Sequence, residues 1–572
     1  ANLAAKNVPF MSPRPNVITP FRRGLMTFRT VPIQSLAAYG LGGLMVATCC
    51  AYVLAHMSPF PNWDMWDGNV DFLVEFDRTG DLSLLFHQHN EHRLVLTKTL
   101  FLLDEYVFSA TYYSLYIWQL VFAGLFALLL GRGLVKSAQG PDTAAFSVLL
   151  GSFAFFLVQH DNFDWAFQSQ FILAYLVPFA AYCFWAKYLQ ESKKLYLGLA
   201  IGLMILSAGT MANGALVVIP VVLYALIRRS SWRSIVGLCG LQALILVAYL
   251  YDYHAPGGHG SIQSTLLENP INTILFFLTY IGSLGGKYYA VAFGLFMIGI
   301  IGAALTMQLA GKRDTAPHAA LILLPLYVFM TAALTAFGRA NFGLEAALTS
   351  RYTTPSVYAF LCVVALLYLW VPKIRTTLFN GLLAFAAIAL VVQFVMLHDT
   401  DKHLAEFKRR AATISLLQAT PDIVAFNAYS YPWTMKTGSV VAARYHQVTL
   451  LGQEPYSKLD HLLGAAYPVP DALPNCDGGI DAMDPLPETQ ALKVDGWFLN
   501  DRPQKYHLLR IVQNDRVVGF GTTGGYRGDV VKKTGTAKAY SGFWAYPSLQ
   551  HYSEGPFAIM AYDGSFGCVF EP

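Results

Sequence analysis

Charge is what this chain has least of. Asp, Glu, Lys and Arg make up only 13% of its 572 residues, against roughly 25% in a typical soluble domain. With 55% hydrophobic residues beside that deficit, an ordinary soluble globule is excluded and a polytopic α-helical membrane protein is expected. Internal repeats and low-complexity linkers are also missing, so neither a solenoid nor a flexible tether organises the chain. Cysteine is scarce, at seven, and no paired-cysteine metal motif occurs. Cys49, Cys50, Cys183, Cys239 and Cys362 lie in apolar runs, where cysteine behaves as a small hydrophobe. Cys476 and Cys568 alone lie in polar sequence, and two cysteines in one extracytoplasmic region suggest a disulfide. The net charge of +4 says little about partners, because its distribution matters more, and no nucleic-acid partner is expected.

What is abundant is apolar sequence in long runs. Residues 1–30 form a basic tail with Lys6, Arg14, Arg22, Arg23 and Arg29, expected in the cytoplasm by the positive-inside rule. No cleavable signal peptide is evident. The first apolar run, Val31 to Met57, reads as a signal-anchor. The membrane domain is expected over 31–397, with about eleven spans. The others are Tyr113–Leu130, Thr143–Val158, Phe171–Trp185, Leu195–Ser207, Leu216–Ile227, Ile235–Leu250, Tyr289–Leu309, Ala319–Phe337, Tyr358–Val371 and Leu378–Leu397. Ile271–Leu284 is short and ends in Gly285-Gly286-Lys287. Were it to span, Lys312 and Arg313 would fall outside, so it is expected to be re-entrant or to lie along the surface. The C-terminal region, 398–572, then falls outside. It opens on an amphipathic stretch, Asp401–Gln418, expected to leave the membrane along its surface. From about residue 476 it is β-rich. ALKVDGWFLN, YHLLRIVQ, DRVVGFG, SGFWAYP and FAIMAYD alternate like strands, punctuated by Asn514-Asp515 and Asp563-Gly564, and suggest a small β-sandwich.

Against this apolar background the first outer loop, 58–112, stands out. It carries Asp64, Asp67, Asp71, Glu75, Asp77 and Asp81, then His87, His89, Glu91, His92 and Arg93. Ionisable groups gathered at a membrane face need water, a partner or a task. Asp64 and Asp67 are three apart, so a helical turn would put both carboxylates on one face. Such a pair can take a proton from a hydroxyl or hold a divalent metal. Trp63 and Trp66 beside them offer apolar faces to a sugar ring. The plainer reading is that the tryptophans anchor an interface and the acids cap a loop helix. His87, His89 and His92 with Glu91 could ligate a transition metal, although their spacing matches no recognised signature. Arg93 can grip phosphate in a bidentate way, whereas the plainer reading of HQHNEHR is a polar hairpin.

Other polar islands sit at the same face. QHDNFDWAFQSQ contributes Asp161, and GRANFGLEAALTSRY contributes Arg339, Glu345, Arg351 and Tyr352. Arg351 and Lys287 fit a lipid phosphate, with snorkelling as the plainer account of Lys287. YDYHAPGGHGSIQS is a Gly-rich loop that could gate a site or merely connect. GFGTTG matches a dinucleotide pattern but is rejected, because YRGDVVKK after it reads as strand rather than helix.

An inside N-terminus, an acidic pair just after the first span, about eleven spans and an outer β-domain together resemble the GT-C-fold glycosyltransferases. HNEHR, FDWAFQSQF, SRYTTP and VVGFG resemble a bacterial membrane-protein group placed there, and the outer β-domain is similar to that of arabinofuranosyltransferases of cell-wall assembly. The resemblance implies a sugar donor on a polyprenyl phosphate and an outer acceptor: a glycan, a lipid or a pilin-type protein. It implies a location in the bacterial inner membrane with the C-terminal domain in the periplasm. Asp64 or Asp67 would be the base, and Arg93, Arg351 and Lys287 would neutralise the donor phosphate. Trp63, Trp66, His89, Glu91, His92, Asp161 and Tyr352 would line the substrate site. The resemblance names no cofactor, and a divalent metal could sit on the carboxylates. The alternative classes are a transporter or flippase of lipid-linked sugar, and a non-catalytic glycan-binding assembly factor.

Overall fold

A computed structural model of the chain describes residues 32–138, 140–254, 269–430, 437–470, 473–486, 489–499, 506–536 and 538–571. The basic tail and most of the Gly-rich loop after Tyr253 lie outside the described residues.

Among the described residues, nine helices are long and apolar enough to cross a bilayer, the architecture of a multi-pass membrane protein. Eight of the regions expected as spans fall within long helices at Ile33–His56, Tyr113–Ser137, Asp142–Gln159, Ala166–Glu191, Trp232–Leu250, Ser283–Leu309, Ala316–Phe342 and Ser350–Trp370. A ninth is the helix Arg375–Leu397. The pair around GTMANG differs. Lys194–Ser207 and Ala212–Ile227 are short helical segments joined by a tight turn. A Cβ on Gly214 would fall 1.8 Å from the Ser207 carbonyl, so only glycine permits this return.

The short segment before Lys287 forms a helix at Pro270–Ile281, whose 12 residues rise about 18 Å, less than a hydrocarbon core of about 30 Å. It folds back on Gly286–Leu309. A Cβ on Gly282 would lie 1.9 Å from the Ala290 carbonyl, and one on Gly294 would lie 2.4 Å from that of Leu278. Two helices approach this closely only where side chains are absent.

Hydropathy does not distinguish central from peripheral helices, but burial does. Ser350–Trp370 is 83% buried and Trp232–Leu250 only 22%, so the former is core and the latter is peripheral. Aromatic stacking fills the centre, with Phe126 against Tyr358 at 3.7 Å and Phe146 against Tyr368 at 4.0 Å between ring centroids.

Beyond the membrane helices, the expected surface helix is instead a buried one. Thr400–Leu417 carries Glu406, Phe407, Arg410 and the run Ala411–Leu417 among its buried residues. It packs against a single seven-stranded antiparallel sheet of order β1-β2-β5-β4-β3-β6-β7, curled into a half-barrel. The strands are β1 (Gly478–Pro485), β2 (Leu492–Phe498), β3 (Leu508–Gln513), β4 (Arg516–Gly525), β5 (Gly542–Pro547), β6 (Phe557–Ala561) and β7 (Gly567–Phe570). This replaces the expected sandwich. Val517, Phe520, Trp544 and Tyr546 face the helix side, joining the main core. Val518, Phe543, Ala545 and Ile559 fill the other side with Phe498 and Phe570. A helix thus takes the place of a second sheet.

The β3–β4 hairpin turns at Asn514 and Asp515, whose φ angles of 51° and 56° suit a tight hairpin turn. A disulfide joins Cys476 to Cys568, tying the entry of the sheet to its last strand. The GFGTTG glycines belong to β4. A Cβ on Gly521 would lie 2.2 Å from the Trp544 carbonyl, and one on Gly519 would lie 2.6 Å from that of Tyr546, so these glycines admit the β5 backbone. A short helix, Gly528–Thr534, does follow, where the sequence reads as strand. The glycines are nevertheless taken up by strand packing.

Candidate functional site

Most of the acids in the loop between the first two long helices hold the loop together. Glu75 receives the Arg78 Nε–H at 2.9 Å, Asp77 lies 2.9 Å from His446 Nδ1, and Asp81 caps a turn through Ser83 N at 2.8 Å. Asp104 accepts from Tyr112 N at 2.9 Å and Ser114 Oγ at 2.5 Å. The C-terminal region clamps the other end of the loop. Trp63 N donates to the Ser430 carbonyl at 3.0 Å, and the Trp66 indole N–H donates to Ser430 Oγ at 3.1 Å.

Asp64 sits in the tight turn leading into a π-helical segment, Trp66–Asp71. Insertions of this kind reorient side chains and are frequent at functional sites. Gly68 allows the turn, since a Cβ there would strike the Phe167 ring at 2.6 Å and His89 at 3.1 Å. The His89 imidazole meets Phe167 edge-on at 5.3 Å. Burial raises the Asp64 carboxyl above the usual carboxylate range, Asp67 and Glu91 add to this, and His89 and Arg351 oppose it. Burial in turn lowers His89, against the pull of Asp64 and Asp67. A carboxylate and an imidazole whose charges act on each other, in a partly dry turn, can take up a proton from a substrate.

A positive wall stands beside this pair. Arg339 Nη2 bonds Glu91 Oε1 at 3.1 Å. The Arg339 and Arg351 guanidiniums lie 5.6 and 5.3 Å from the centre of the buried Tyr352 ring. The GTMANG turn closes the far side, with Ala212 N donating to His92 Nδ1 at 3.2 Å and Leu96 N to the Gly209 carbonyl at 3.1 Å.

The segment His160–Phe167 joins these parts. Asp161 N bonds Ser350 Oγ at 3.1 Å, and Asn162 Nδ2 bonds the Arg351 carbonyl at 3.0 Å and Thr354 Oγ1 at 2.6 Å. The Trp165 indole N–H bonds the Asn62 carbonyl at 3.2 Å. On the opposite side Asp164 accepts from Tyr52 Oη at 2.6 Å and from Lys402 Nζ, which is also 2.7 Å from His160 Nδ1. Burial opposes ionisation of Asp164, but His160 and Lys402 hold its carboxyl well below the usual range. Among the described residues, His160, Asp161 and Asp164 are the His/Cys/Asp/Glu group close enough to hold a cation. The Lys402 ammonium already lies against two of its ligand atoms, so the donor set does not fit a metal. Nor do His87, His89 and His92 converge: the His87 carbonyl accepts from Lys98 Nζ at 2.8 Å, while the rings of His89 and His92 face Phe167 and Ala212.

No family model and no curated protein matches this chain.

The fold gathers Asp64, Asp67, His89, Glu91, Arg351 and Tyr352, with Asp161 tied to Ser350 behind them. Trp63 is 47% exposed, whereas Trp66 is fully buried against Phe426 and cannot stack on a sugar. Arg93 spends its guanidinium on the carbonyls of Tyr249 at 2.8 Å, Phe86 at 2.5 Å and Tyr251, a scaffolding role. Lys287 is an exposed surface group paired with Glu345 at 2.8 Å. The Tyr52–Asp164–Lys402 cluster is not visible in the sequence, because its members come from three distant stretches: an apolar run, the polar island around Asp161 and an amphipathic helix.

Proposed function

We propose that the protein is a membrane glycosyltransferase of GT-C type that moves a sugar from a polyprenyl-phosphate donor to an extracytoplasmic acceptor. The observation that carries this reading is Asp64, held partly dry with a raised carboxyl between His89 and Arg351. The acceptor hydroxyl loses its proton to Asp64 as its oxygen bonds the anomeric carbon. The bond from that carbon to the donor phosphate breaks, and the charge on the departing polyprenyl phosphate falls to Arg351. A single displacement of this kind inverts the anomeric centre. Asp67 adds negative charge beside the base and orients the acceptor.

The enzyme is assigned to a bacterial inner membrane, with the C-terminal sheet in the periplasm and a glycan, lipid or pilin-type protein as acceptor. The rival reading, a transporter or flippase, requires charged groups along a path through the bundle, whereas the Asp64 group lies in a loop between helices.

Single-turnover transfer by purified Asp64→Asn tests the assignment. The rate should fall by about 10²–10⁴-fold, while donor affinity is retained. Dead Asp67→Asn beside an active Asp64→Asn would move the base to Asp67. Normal turnover by both would reject the loop as the catalytic centre.

A further inference from the structure

Away from Asp64, a cavity of about 620 Å³ opens where the first long helix meets the C-terminal domain. One wall is the end of Ile33–His56, through Leu54, Ala55 and Met57, together with Tyr113 at the start of the next long helix. The other wall is His403, Arg410, Tyr506, Gly524 and Tyr540. None of these residues belongs to the group around Asp64. Leu54 is 67% exposed, so the mouth is continuous with the lipid-facing side of its helix.

The inner end is cationic. Arg410 is 8% exposed, and its guanidinium lies 4.1 Å from the centre of the Tyr506 ring and 5.3 Å from that of Phe60. Its protein partner is Glu406, at a long 3.4 Å, and that carboxylate is shared with Arg409 at 2.9 Å. The Nε of Arg410 is buried with no hydrogen-bond partner. Two guanidiniums against one carboxylate leave a positive excess, and an unmatched buried donor is costly unless a ligand takes it. Gly524, at φ +101°, brings Tyr506 into the wall, since a Cβ there would sit 2.6 Å from its ring. Tyr506 and Tyr540 also line the same space.

We infer that this cavity binds the phosphate-bearing head of a membrane amphiphile, with the hydrocarbon tail along Leu54 and Ala55 and the phosphate at Arg410. The chemistry is that of a bidentate guanidinium–phosphate pair at a membrane boundary. The site is separate from the Asp64 centre, and the inference does not depend on the transferase reading.

The test uses the full chain in a non-ionic detergent, with binding followed by native mass spectrometry. The probes are farnesyl monophosphate, short-chain phosphatidylglycerol, farnesol and inorganic phosphate. One of the two phosphate amphiphiles should bind, and the tighter one identifies an isoprenoid or a glycerolipid source. Arg410→Gln should weaken that binding about tenfold or more, as loss of a charge-assisted pair does. Arg410→Lys should restore part of it. Ala55→Trp, at an exposed position, should block the mouth without touching the cation, and decides the matter if Arg410→Gln fails to fold. Farnesol binding as tightly as farnesyl monophosphate, inorganic phosphate competing equally with either amphiphile, or unchanged binding in folded Arg410→Gln and Ala55→Trp would each overturn the inference.

Discussion

Asp64 is set apart from its neighbours by its surroundings, partial burial beside His89 and Arg351, rather than by residue type. The same loop holds other carboxylates, but Glu75, Asp77, Asp81 and Asp104 bond nearby donors and act as scaffold. Because burial raises the Asp64 carboxyl, the group remains protonated to higher pH than an ordinary aspartate. Transfer should therefore fail on the acid side at a pH above the usual aspartate range. A pH–rate profile whose acid limb lies at an ordinary carboxylate value would separate the base from Asp64. Arg351 provides the complementary test. Arg351→Ala should weaken donor use with little effect on thermal stability, and Arg351→Lys should recover it only in part, because a lysine lacks the planar fork. Full donor use by Arg351→Ala would remove that residue from the site.

At the scale of elements, the outer loop is ordered by what docks on it. The helix Val95–Val107 meets the C-terminal region through Glu105, which accepts Thr449 N–H at 3.1 and 3.0 Å. Burial raises Glu105 from the ordinary 4.5 to about 7, although the bond from Thr449 opposes the rise. Between these values the folded state binds the proton more tightly than the unfolded state. Stability from this group is thus fully present below pH 4.5 and is lost as pH rises through about 7. Glu105→Gln should flatten that part of the stability profile, as read by thermal unfolding between pH 5 and 8, a window of about three units around the shift. An unchanged slope would mean that Glu105 does not titrate across it.

Five of the strands were legible as alternating runs, because period-two patterning survives wherever one side of a strand differs from the other. β1 and β7 were not, since Gly478–Pro485 is interrupted by glycine, aspartate and proline, and Gly567–Phe570 is only 4 residues long. The buried state of Thr400–Leu417 was also hidden. Its charges read as a solvated face, yet Glu406 and Arg410 are buried where the helix meets the sheet.

For the molecule as a whole, the Cys476–Cys568 bridge closes a span of 92 residues around the sheet. Closing a loop of that length stabilises by about 4.6 kcal/mol in the chain-entropy account. Cys568→Ser should lower the midpoint of unfolding of the C-terminal region markedly, and free-thiol counting on the native protein should find both cysteines blocked. Two reactive thiols in a native extract would reject the bridge. Sidedness has its own test. A cysteine introduced at the exposed Lys533 should react with an impermeant reagent in cells whose outer membrane alone is opened. Reaction only after inner-membrane lysis would invert the proposed topology.

Composition and apolar run length by themselves determined that the chain is a multi-pass helical protein with a polar, strand-rich C-terminal part, because hydrophobic length and alternation are local properties of sequence. They also brought Asp64, Asp67, His89, Glu91 and Arg351 forward, since ionisable groups stand out against apolar sequence. Only the tertiary structure decided which of them meet. It buried Trp66, tied Arg93 to three carbonyls, and drew Tyr52, Asp164 and Lys402 together from far apart in the chain. It also set a helix where a second sheet was expected. Contacts of this kind depend on long-range packing, and burial and hydrogen bonding in the folded chain, rather than residue type, decide which polar group remains available for chemistry.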